Sequence, residues 1–200
     1  MSNNFMLNNN EINSNIIKNI LVMLQRRGKI SDYEGILNSI GVISGNSVFN
    51  FKNNNDKYSI YIINSKLNSI ISKSPLDDYL NSNLDVRKFI IIETPSKRAI
   101  KQLYGSYNNS EFFFVHEMIH DLCSKNFIPE HKILNNEDKS ELLKRFKLNE
   151  FSKIFKYDVM SRYYNAQVND VFKILRPNIT SGYSIFYRVV INGKVDNLFK

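Results

Sequence analysis

The chain has 200 residues, of which 42% are hydrophobic, including 14 Phe and 11 Tyr. This composition is sufficient for a buried core, suits one or two domains and excludes a chain that is disordered throughout. The single cysteine, Cys123, excludes an internal disulfide framework and is typical of a reducing compartment; we expect it to be a buried, inert thiol. No apolar run approaches ~18 residues, and no charged segment followed by an apolar one opens the chain, so we expect neither a membrane-spanning helix nor secretion.

The positive charge is concentrated in the second half of the chain. The net charge is +8; residues 1–123 carry 13 Lys and Arg against 11 Asp and Glu, a net +2, whereas residues 124–200 carry 14 against 8, a net +6. A basic excess favours contact with a polyanion or with an acidic protein. The asparagine runs at 8–10 and 53–55, with the many Ile and Lys residues, indicate an AT-rich coding genome rather than chemistry.

The first predicted elements are two helices. Apolar residues at helical spacing predict a helix over residues 12–24, which ends at the Arg-Gly pair 27–28 with the glycine just beyond the C-cap. Ser31 and Glu34 have the spacing of a capping box and predict a short second helix that runs to about residue 40, where Gly41 stops it.

Strand patterns follow. Residues 57–63 alternate between polar and apolar and predict a strand, and residues 76–80 predict a helical turn after a proline. Residues 89–92 are wholly apolar and β-rich, which is typical of a strand buried on both faces. A helix over 97–103 and a second apolar run at 112–115 complete a strand–helix–strand pattern that predicts a parallel βαβ crossover, and hence an α/β first domain.

The second half begins at a boundary marked by Pro129. Asn135 is placed to cap a helix with Asp138 three residues later, and Asp158 to cap a shorter helix around 160–163. The first of these helices has a predicted apolar face of Leu142, Leu143 and Phe146.

Two strands are predicted at the end of the chain. They span residues 171–175 and 183–191 and are joined by a turn containing Pro177, Asn178 and Gly182. Their predicted core residues are Phe172, Ile174, Ile185, Tyr187 and Val189.

Residues 116–120 match H-E-x-x-H, the signature in which two histidines on one helix face bind zinc and the glutamate activates a water. A third ligand would have to come from a set without a second motif: Glu130, His131, Glu137 or Glu141. The flanking sequence argues against a zinc helix, because a predicted strand runs straight into His116 and a proline follows at 129. We therefore predict no metal at His116, Glu117 and His120, and keep a zinc-dependent metallopeptidase as the alternative function.

Five motifs in the second half carry a family resemblance. They are "IPEH" (128–131), "ELLKRFKL" (141–148), "DVMSRYY" (158–164), "VFKILRP" (171–177) and "TSGYSIFYRVV" (180–190). In this order the chain resembles the fifth subunit shared by eukaryotic nuclear RNA polymerases, whose archaeal counterpart corresponds to the C-terminal domain alone. The match is nearly ungapped over about residues 111–191. In the first half, "FIIIETPSKRAIKQL" (89–103) and the Arg-Gly helix end are similar to the family, whereas residues 42–88 do not align.

The resemblance implies an α/β N-terminal jaw domain with a parallel or mixed sheet, residues 1–124, followed by a small mixed α+β C-terminal polymerase-assembly domain, residues 125–200. It implies a non-catalytic subunit of a multisubunit DNA-directed RNA polymerase that docks on the largest subunit through the C-terminal domain and lies near downstream double-stranded DNA through the jaw. No catalytic residue, cofactor, small-molecule substrate or membrane is implied. We expect an intracellular location: the nucleus or, if the chain comes from a large DNA virus, as the base bias suggests, the cytoplasmic virus factory of the host and the virion.

The resemblance also implies roles for particular residues. The loop expected near downstream DNA consists of Thr94, Pro95, Ser96, Lys97 and Arg98. The alternative is that this segment is an ordinary strand-to-helix turn. The cations expected at the interface with the largest subunit, or alternatively on a solvated face, are Lys144, Arg145, Arg162, Lys173, Arg176 and Arg188. His131 matches the family's P-x-H, and we interpret it as a hydrogen-bonded structural histidine.

The chain departs from the family pattern at five positions. Val159 replaces a proline, Asn165 and Asn169 replace glycines, Ile179 replaces an acidic residue and Tyr183 a basic one. Asparagine tolerates left-handed backbone, so we expect the two turns to be preserved. A third function class, a free-standing nucleic-acid-binding module, is kept alongside the metallopeptidase.

Overall fold

The computed structural model describes residues 8–40, 48–107, 109–125, 127–178, 180, 182–195 and 198. The chain divides into two compact units, Met1–Asp121 and Leu122–Lys200. This division falls three residues before the domain boundary predicted after residue 124. Among the described residues, no helix has both the length and the apolar character needed to cross a bilayer.

The first unit is built on a four-stranded mixed sheet of order β1-β2-β3-β4. The strands are β1 (Val48–Asn53), β2 (Asp56–Leu67), β3 (Val86–Pro95) and β4 (Ser110–Phe114). β1 pairs with β2 antiparallel, whereas β2–β3 and β3–β4 are parallel, so the predicted parallel crossover is confirmed. Residues 89–92 of β3 are all buried, as their uninterrupted apolar sequence predicts.

Five helices accompany this sheet: α1 (Asn9–Arg26), α2 (Tyr33–Ile40), α3 (Pro75–Asn81), α4 (Lys97–Ser106) and α5 (Val115–Met118). α1 is the most deeply buried, since Ile16, Ile17, Ile20 and Leu21 have no exposed surface. As predicted, α1 is followed by a glycine in left-handed conformation, Gly28, at φ +67°.

Helix α2 has a different cap from the one predicted. The backbone N–H of Gly35 donates to Oδ1 of Asp32 at 2.9 Å, so Asp32, and not Ser31, lies at the N-cap. Glu34 accepts from the Tyr33 hydroxyl at 3.0 Å instead of completing a capping box with Ser31. A carboxylate and a hydroxyl are both good caps, and with Ser and Asp adjacent the helix begins one residue later than expected. The predicted stop at Gly41 lies outside the described residues.

Lys88 on β3 is a buried lysine that binds backbone carbonyls at the end of α3. Its Nζ donates to the carbonyl of Leu80 at 2.8 Å and to that of Ser82, and lies 5.5 Å from the centre of the Tyr79 ring. Burial lowers the pKa of this amine below its usual value. The lysine thus satisfies carbonyls that the helix end leaves without an internal partner.

The second unit contains a four-stranded sheet of order β5-β7-β8-β6. β5 (Glu130–Ile133) and β7 (Val171–Asn178) are antiparallel, as are β7 and β8 (Gly182–Ile191), whereas β6 (Ser152–Phe155) is parallel to β8. The helices α6 (Asn136–Leu143) and α7 (Val159–Tyr163) carry the predicted caps: Asn135 accepts from the N–H of Asp138 at 2.7 Å and Asp158 from that of Met160 at 2.9 Å. The buried cluster is Ile154, Ala166, Phe172, Ile174 and Val190.

Three strands and part of the core differ from the sequence-based expectation. β1, β5 and β6 are not predicted, and the last two have only four residues each, too few to show a period. Ile185, predicted as core, is 51% exposed, and Phe146, predicted on the buried face of α6, is 49% exposed. Because these side chains are apolar, the sequence predicts that they lie on a strand or on the apolar face of a helix. It does not tell which of them the fold buries.

Asparagine supplies most of the left-handed backbone. Of the five described non-glycine residues with positive φ, four are asparagines: Asn54 (54°), Asn83 (37°), Asn165 (51°) and Asn169 (74°). Asn54 forms the two-residue turn of the β1–β2 hairpin, in which Asn53 pairs with Asp56. The preserved turns expected at Asn165 and Asn169 are confirmed.

Two ion pairs join the end of α1 to other parts of the first unit. Arg27 makes two hydrogen bonds to the carboxylate of Glu111 on β4, at 3.0 and 2.7 Å, and its side chain is only 6% exposed. Arg26 binds the carboxylate of Asp121, with Nη2 at 2.6 Å from Oδ2, but these side chains are 33% and 22% exposed. Because Arg27 is buried, loss of its carboxylate partner would leave the guanidinium charge poorly solvated.

We expect Glu111→Gln to lower the free energy of unfolding of the first unit by about 2 kcal/mol, because it leaves a buried guanidinium facing a neutral amide. The matched Asp121→Asn should cost about 1 kcal/mol or less, since solvent screens that pair. Urea unfolding of the two variants measures both values. Equal losses would show that burial does not distinguish the pairs.

Candidate functional site

The H-E-x-x-H segment has a structural role. α5 ends at Met118, so His116 lies on it and His120 beyond it, and the two imidazoles do not share a helix face. Glu117 accepts the backbone N–H of Phe114 at 2.9 Å, and the His116 ring stacks on Phe114 at 5.3 Å. Within the described ranges, no three His, Cys, Asp or Glu side chains are grouped so that they could hold a metal ion. The metallopeptidase alternative therefore has no geometric support.

The Thr94–Arg98 segment joins β3 to α4. Thr94 and Pro95 are the last residues of β3, and they pair with Lys66 and Leu67 of β2. Ser96 is the N-cap of α4: its hydroxyl accepts the N–H of Ala99 at 3.1 Å and donates to the carbonyl of Asn68. The hydroxyl is thus engaged by the fold, and its use as a phosphate ligand at the expected DNA-proximal loop would compete with the cap.

The two cations of this segment are exposed. Lys97 and Arg98 occupy the first turn of α4, where no acidic residue is present. Positive side chains there oppose the helix dipole, whose positive end lies at the N-terminus. Such a conflict between local preference and structure is typical of positions kept for contact with a partner.

The sheet of the second unit has two faces with different groove linings. On the first face, a groove of about 450 Å³ is lined by Arg176 and Arg188 together with the side chains of Phe127, Pro129, His131, Ser152, Ile174 and Phe186. On the second face, a groove of about 400 Å³ is lined by Arg145 and Lys173 together with Lys132, Leu134, Asp138, Glu141, Leu142, Phe146 and Tyr187. The structure thus brings together two pairs of the predicted interface cations. Lys144 is exposed but lines neither groove.

Arg162 is a correction to the predicted interface set. It lies on α7, is 9% exposed, and its Nε donates to the carbonyl of Tyr157 at 3.1 Å. A guanidinium bound inside its own unit stabilises that unit, and its replacement by an acidic residue would bury an unpaired charge. Arg162 therefore does not belong with the exposed cations.

The sequence-based reasoning missed several exposed apolar side chains beside the cations. Phe127 is 80% exposed and lies in the first groove with Phe186, while Tyr183 and Ile185 are exposed on the same hairpin. Large exposed apolar side chains that cluster near charges are typical of protein interfaces. The ten-residue β8 extends beyond the four-residue β6 that pairs with it, and the sequence does not reveal this because β6 is too short to be predicted.

His131 is confirmed as a hydrogen-bonded structural histidine. Its Nδ1 lies 2.7 Å from the carbonyl of Pro129, and its ring meets Phe172 edge-on at 5.7 Å. Because only a protonated nitrogen can donate to a carbonyl, Nδ1 carries the proton of the neutral ring. Burial lowers the pKa of His131, an effect that the Pro129 carbonyl and Asp158 oppose.

Comparisons with known proteins find relatives that match the sequence of the second unit. The family model described as RNA polymerase Rpb5, C-terminal domain, matches residues 121–190. DNA-directed RNA polymerase subunit Rpo5 of Thermococcus onnurineus is 34% identical over 73 residues, which are 36% of this chain and 89% of that subunit. The chain belongs to the RNA polymerase subunit 5 family. The matched range lies within the residues 111–191 on which the resemblance was based, and that resemblance is confirmed.

Two further relatives of the subunit 5 family extend the match beyond the second unit. DNA-directed RNA polymerase subunit 5 of Acanthamoeba polyphaga mimivirus is 28% identical over 187 residues, which are 88% of this chain and 90% of that one. Subunit RPABC1 of the DNA-directed RNA polymerases I, II and III of Caenorhabditis elegans is 32% identical over 110 residues, 52% of each chain. The match thus spans about half the length of the nematode relative.

We expect the His131 ring to titrate below its ordinary pKa of 6.5, because burial disfavours the imidazolium. The corresponding contribution to stability is present above 6.5 and is lost as the pH falls through the lower pKa of the folded state. Ring resonances followed by NMR across this range measure the midpoint. A midpoint at or above 6.5 would contradict the assignment of His131 as a buried neutral histidine.

Proposed function

We propose that this chain is a non-catalytic subunit of a multisubunit DNA-directed RNA polymerase. The observation that carries the proposal is the alignment with the mimivirus subunit, which takes in 88% of this chain and 90% of its relative. An alignment of that extent argues for the role of the whole subunit rather than for one borrowed domain. The viral relative and the AT-rich base bias favour a polymerase encoded by a large DNA virus, acting in the cytoplasmic virus factory of the host and carried in the virion; a cellular polymerase would act in the nucleus.

Docking on the largest polymerase subunit is the role that we propose for the second unit. The family model falls on it, and a match of only 73 residues, about the size of this unit, covers 89% of an archaeal polymerase subunit. The unit also carries most of the chain's positive charge, and its grooves combine exposed cations with exposed aromatic rings. The cations suit an acidic partner protein, since charges across an interface are complementary. The aromatic and arginine side chains suit a protein partner, since these residue types dominate interface energies.

Contact with downstream double-stranded DNA is the role that we propose for the first unit. Lys97 and Arg98 are exposed at the N-terminus of α4, where a phosphate would offset their conflict with the helix dipole. Phosphate contacts of this kind carry no sequence information, which suits a polymerase that moves along any template.

We expect Arg145→Glu with Lys173→Glu to reduce recovery of the largest polymerase subunit by on the order of tenfold, because two attractive contacts become repulsive. A tagged chain expressed with the polymerase subunits, followed by mass spectrometry of what it retains, measures the recovery. The control, Lys18→Glu with Lys52→Glu, changes the net charge equally on exposed residues of the first unit. Wild-type chain that retains no polymerase subunit would refute the proposed function, whereas equal recovery by all three chains would remove only the two cations from the interface.

We expect Lys97→Gln with Arg98→Gln to leave assembly intact and to flatten the salt dependence of DNA binding by the assembled polymerase. Removing one phosphate contact should reduce the slope of log K against log salt by roughly 0.9. Binding to a template with a downstream duplex, measured over a range of salt concentrations, reports this slope. Lys18→Gln is the control, and an unchanged slope in the double variant would exclude these cations as DNA contacts.

A further inference from the structure

The β7–β8 hairpin is longer than the strands beside it. β5 pairs with β7 only as far as Leu175, and β6 pairs with β8 only at 188–191. Beyond these points the two strands continue to pair with each other through Asn178 and Gly182. Within the described part of the chain, the distal half of the hairpin therefore has no flanking strand on either side.

The outer edge of β7 carries a protective residue. The N–H of Leu134, next to β5, donates to the carbonyl of Val171 at 2.9 Å, so the odd-numbered residues of β7 turn their peptide groups toward the β5 side. Pro177 is one of these residues, and it has no N–H to offer. Proline on an edge strand is a common device against unwanted strand pairing.

The outer edge of β8 has no such device. Val190 exchanges backbone hydrogen bonds with Asn169 and Asp170, on the β7 side, whereas the carbonyl of Ile191 accepts from Lys156, on the β6 side. By alternation, both peptide groups of Ile185 and the N–H of Tyr187 point to the β6 side, past the end of that strand. Both residues are strong β-formers without charge, the type that makes an exposed edge prone to pair with another strand.

The side chains along this edge differ between the two faces. Phe186 and Arg188 project to the face of the first groove, near Arg176, which is paired with Ser184. Ile185 and Tyr187 project to the opposite face, where the Tyr187 ring lies 6.1 Å from that of Phe151. The face of the first groove thus carries Arg176 and Arg188 beside Phe186, and the opposite face carries Ile185 and Tyr187, the latter paired with Lys173.

We propose that the edge of β8 at residues 184–187 accepts an extended strand of the largest polymerase subunit, which would lengthen the sheet in line with β6. The complementary strand alternates acidic side chains, facing Arg176 and Arg188, with apolar ones facing Ile185 and Tyr187. A second copy of this chain fits poorly, because two units of net charge +6 would meet at their cationic edges. The inference rests on the proposed docking of the second unit and specifies how that docking is made.

Ile185→Pro tests the backbone contact. It removes the outward N–H while sparing the hydrogen bonds to β7, a position at which an edge strand tolerates proline. The matched Ile185→Thr keeps both the N–H and the β-branch. We expect recovery of the largest subunit to fall about tenfold with proline and less than about twofold with threonine, at similar thermal unfolding midpoints. Equal recovery by the two variants overturns strand addition.

Hydrogen exchange of the wild-type chain gives a second measurement that does not depend on a variant's folding. The amides of Ile185 and Tyr187 should exchange at least about tenfold more slowly in the assembled polymerase than in the free chain. If wild type recovers the largest subunit but these amides exchange at the same rate, strand addition is wrong and the proposed function stands. If wild type recovers none, the proposed function falls and the inference with it. A concentration-dependent dimer of the free chain that Ile185→Pro abolishes would identify a second copy as the occupant and overturn the proposal.

Discussion

Strand β3 is buried on both of its faces, and this constraint organises the first unit. Alternate side chains must find cover on opposite sides of the sheet. On one side Lys88 reaches the end of α3, and on the other Phe89 stacks on Tyr58 at 6.5 Å between ring centres. Because both parallel crossovers run in the same direction across the sheet, their helices α3 and α4 lie on one face, which leaves the other to the helices outside the crossovers. The buried apolar surface of α1 and the half-buried Arg27–Glu111 pair follow from that requirement.

Burial and local chemistry also determine which elements could be predicted. β3 and β4 are recognisable because full burial leaves an uninterrupted apolar run, and their parallel pairing follows from the helix between them. The caps at Asn135 and Asp158 are local and follow from side-chain chemistry alone. The cap of α2 is just as local, but Ser31 and Asp32 are adjacent and equally suitable, so the sequence cannot choose between them. β5 and β6 depend on pairing with distant strands, and four residues show no period of their own.

The candidate sites divide in a similar way. The five motifs, taken in order, identified the family and its basic positions, because many residues together carry the resemblance. It could not tell that Arg162 points into the unit, or that Ile185 points out of it, because both depend on where neighbouring elements end. Glu117 shows the same limit: H-E-x-x-H fits as a string, yet the helix stops at Met118 and the carboxylate binds a backbone amide. Exposure is a property of the assembled fold and depends on where the short, unpredicted strands end.

The choice of asparagine in the left-handed turns is related to the codons that encode it. Glycine is encoded only by GG-codons, whereas asparagine uses AAT and AAC, so a genome poor in G and C encodes glycine at a disadvantage. The chain has 7 glycines in 200 residues, and it makes left-handed turns with asparagine at positions 165 and 169, where the family resemblance led us to expect glycine. The amide side chain tolerates this conformation at modest strain. A bias in base composition can therefore change the residues at turn positions while the turns themselves are kept.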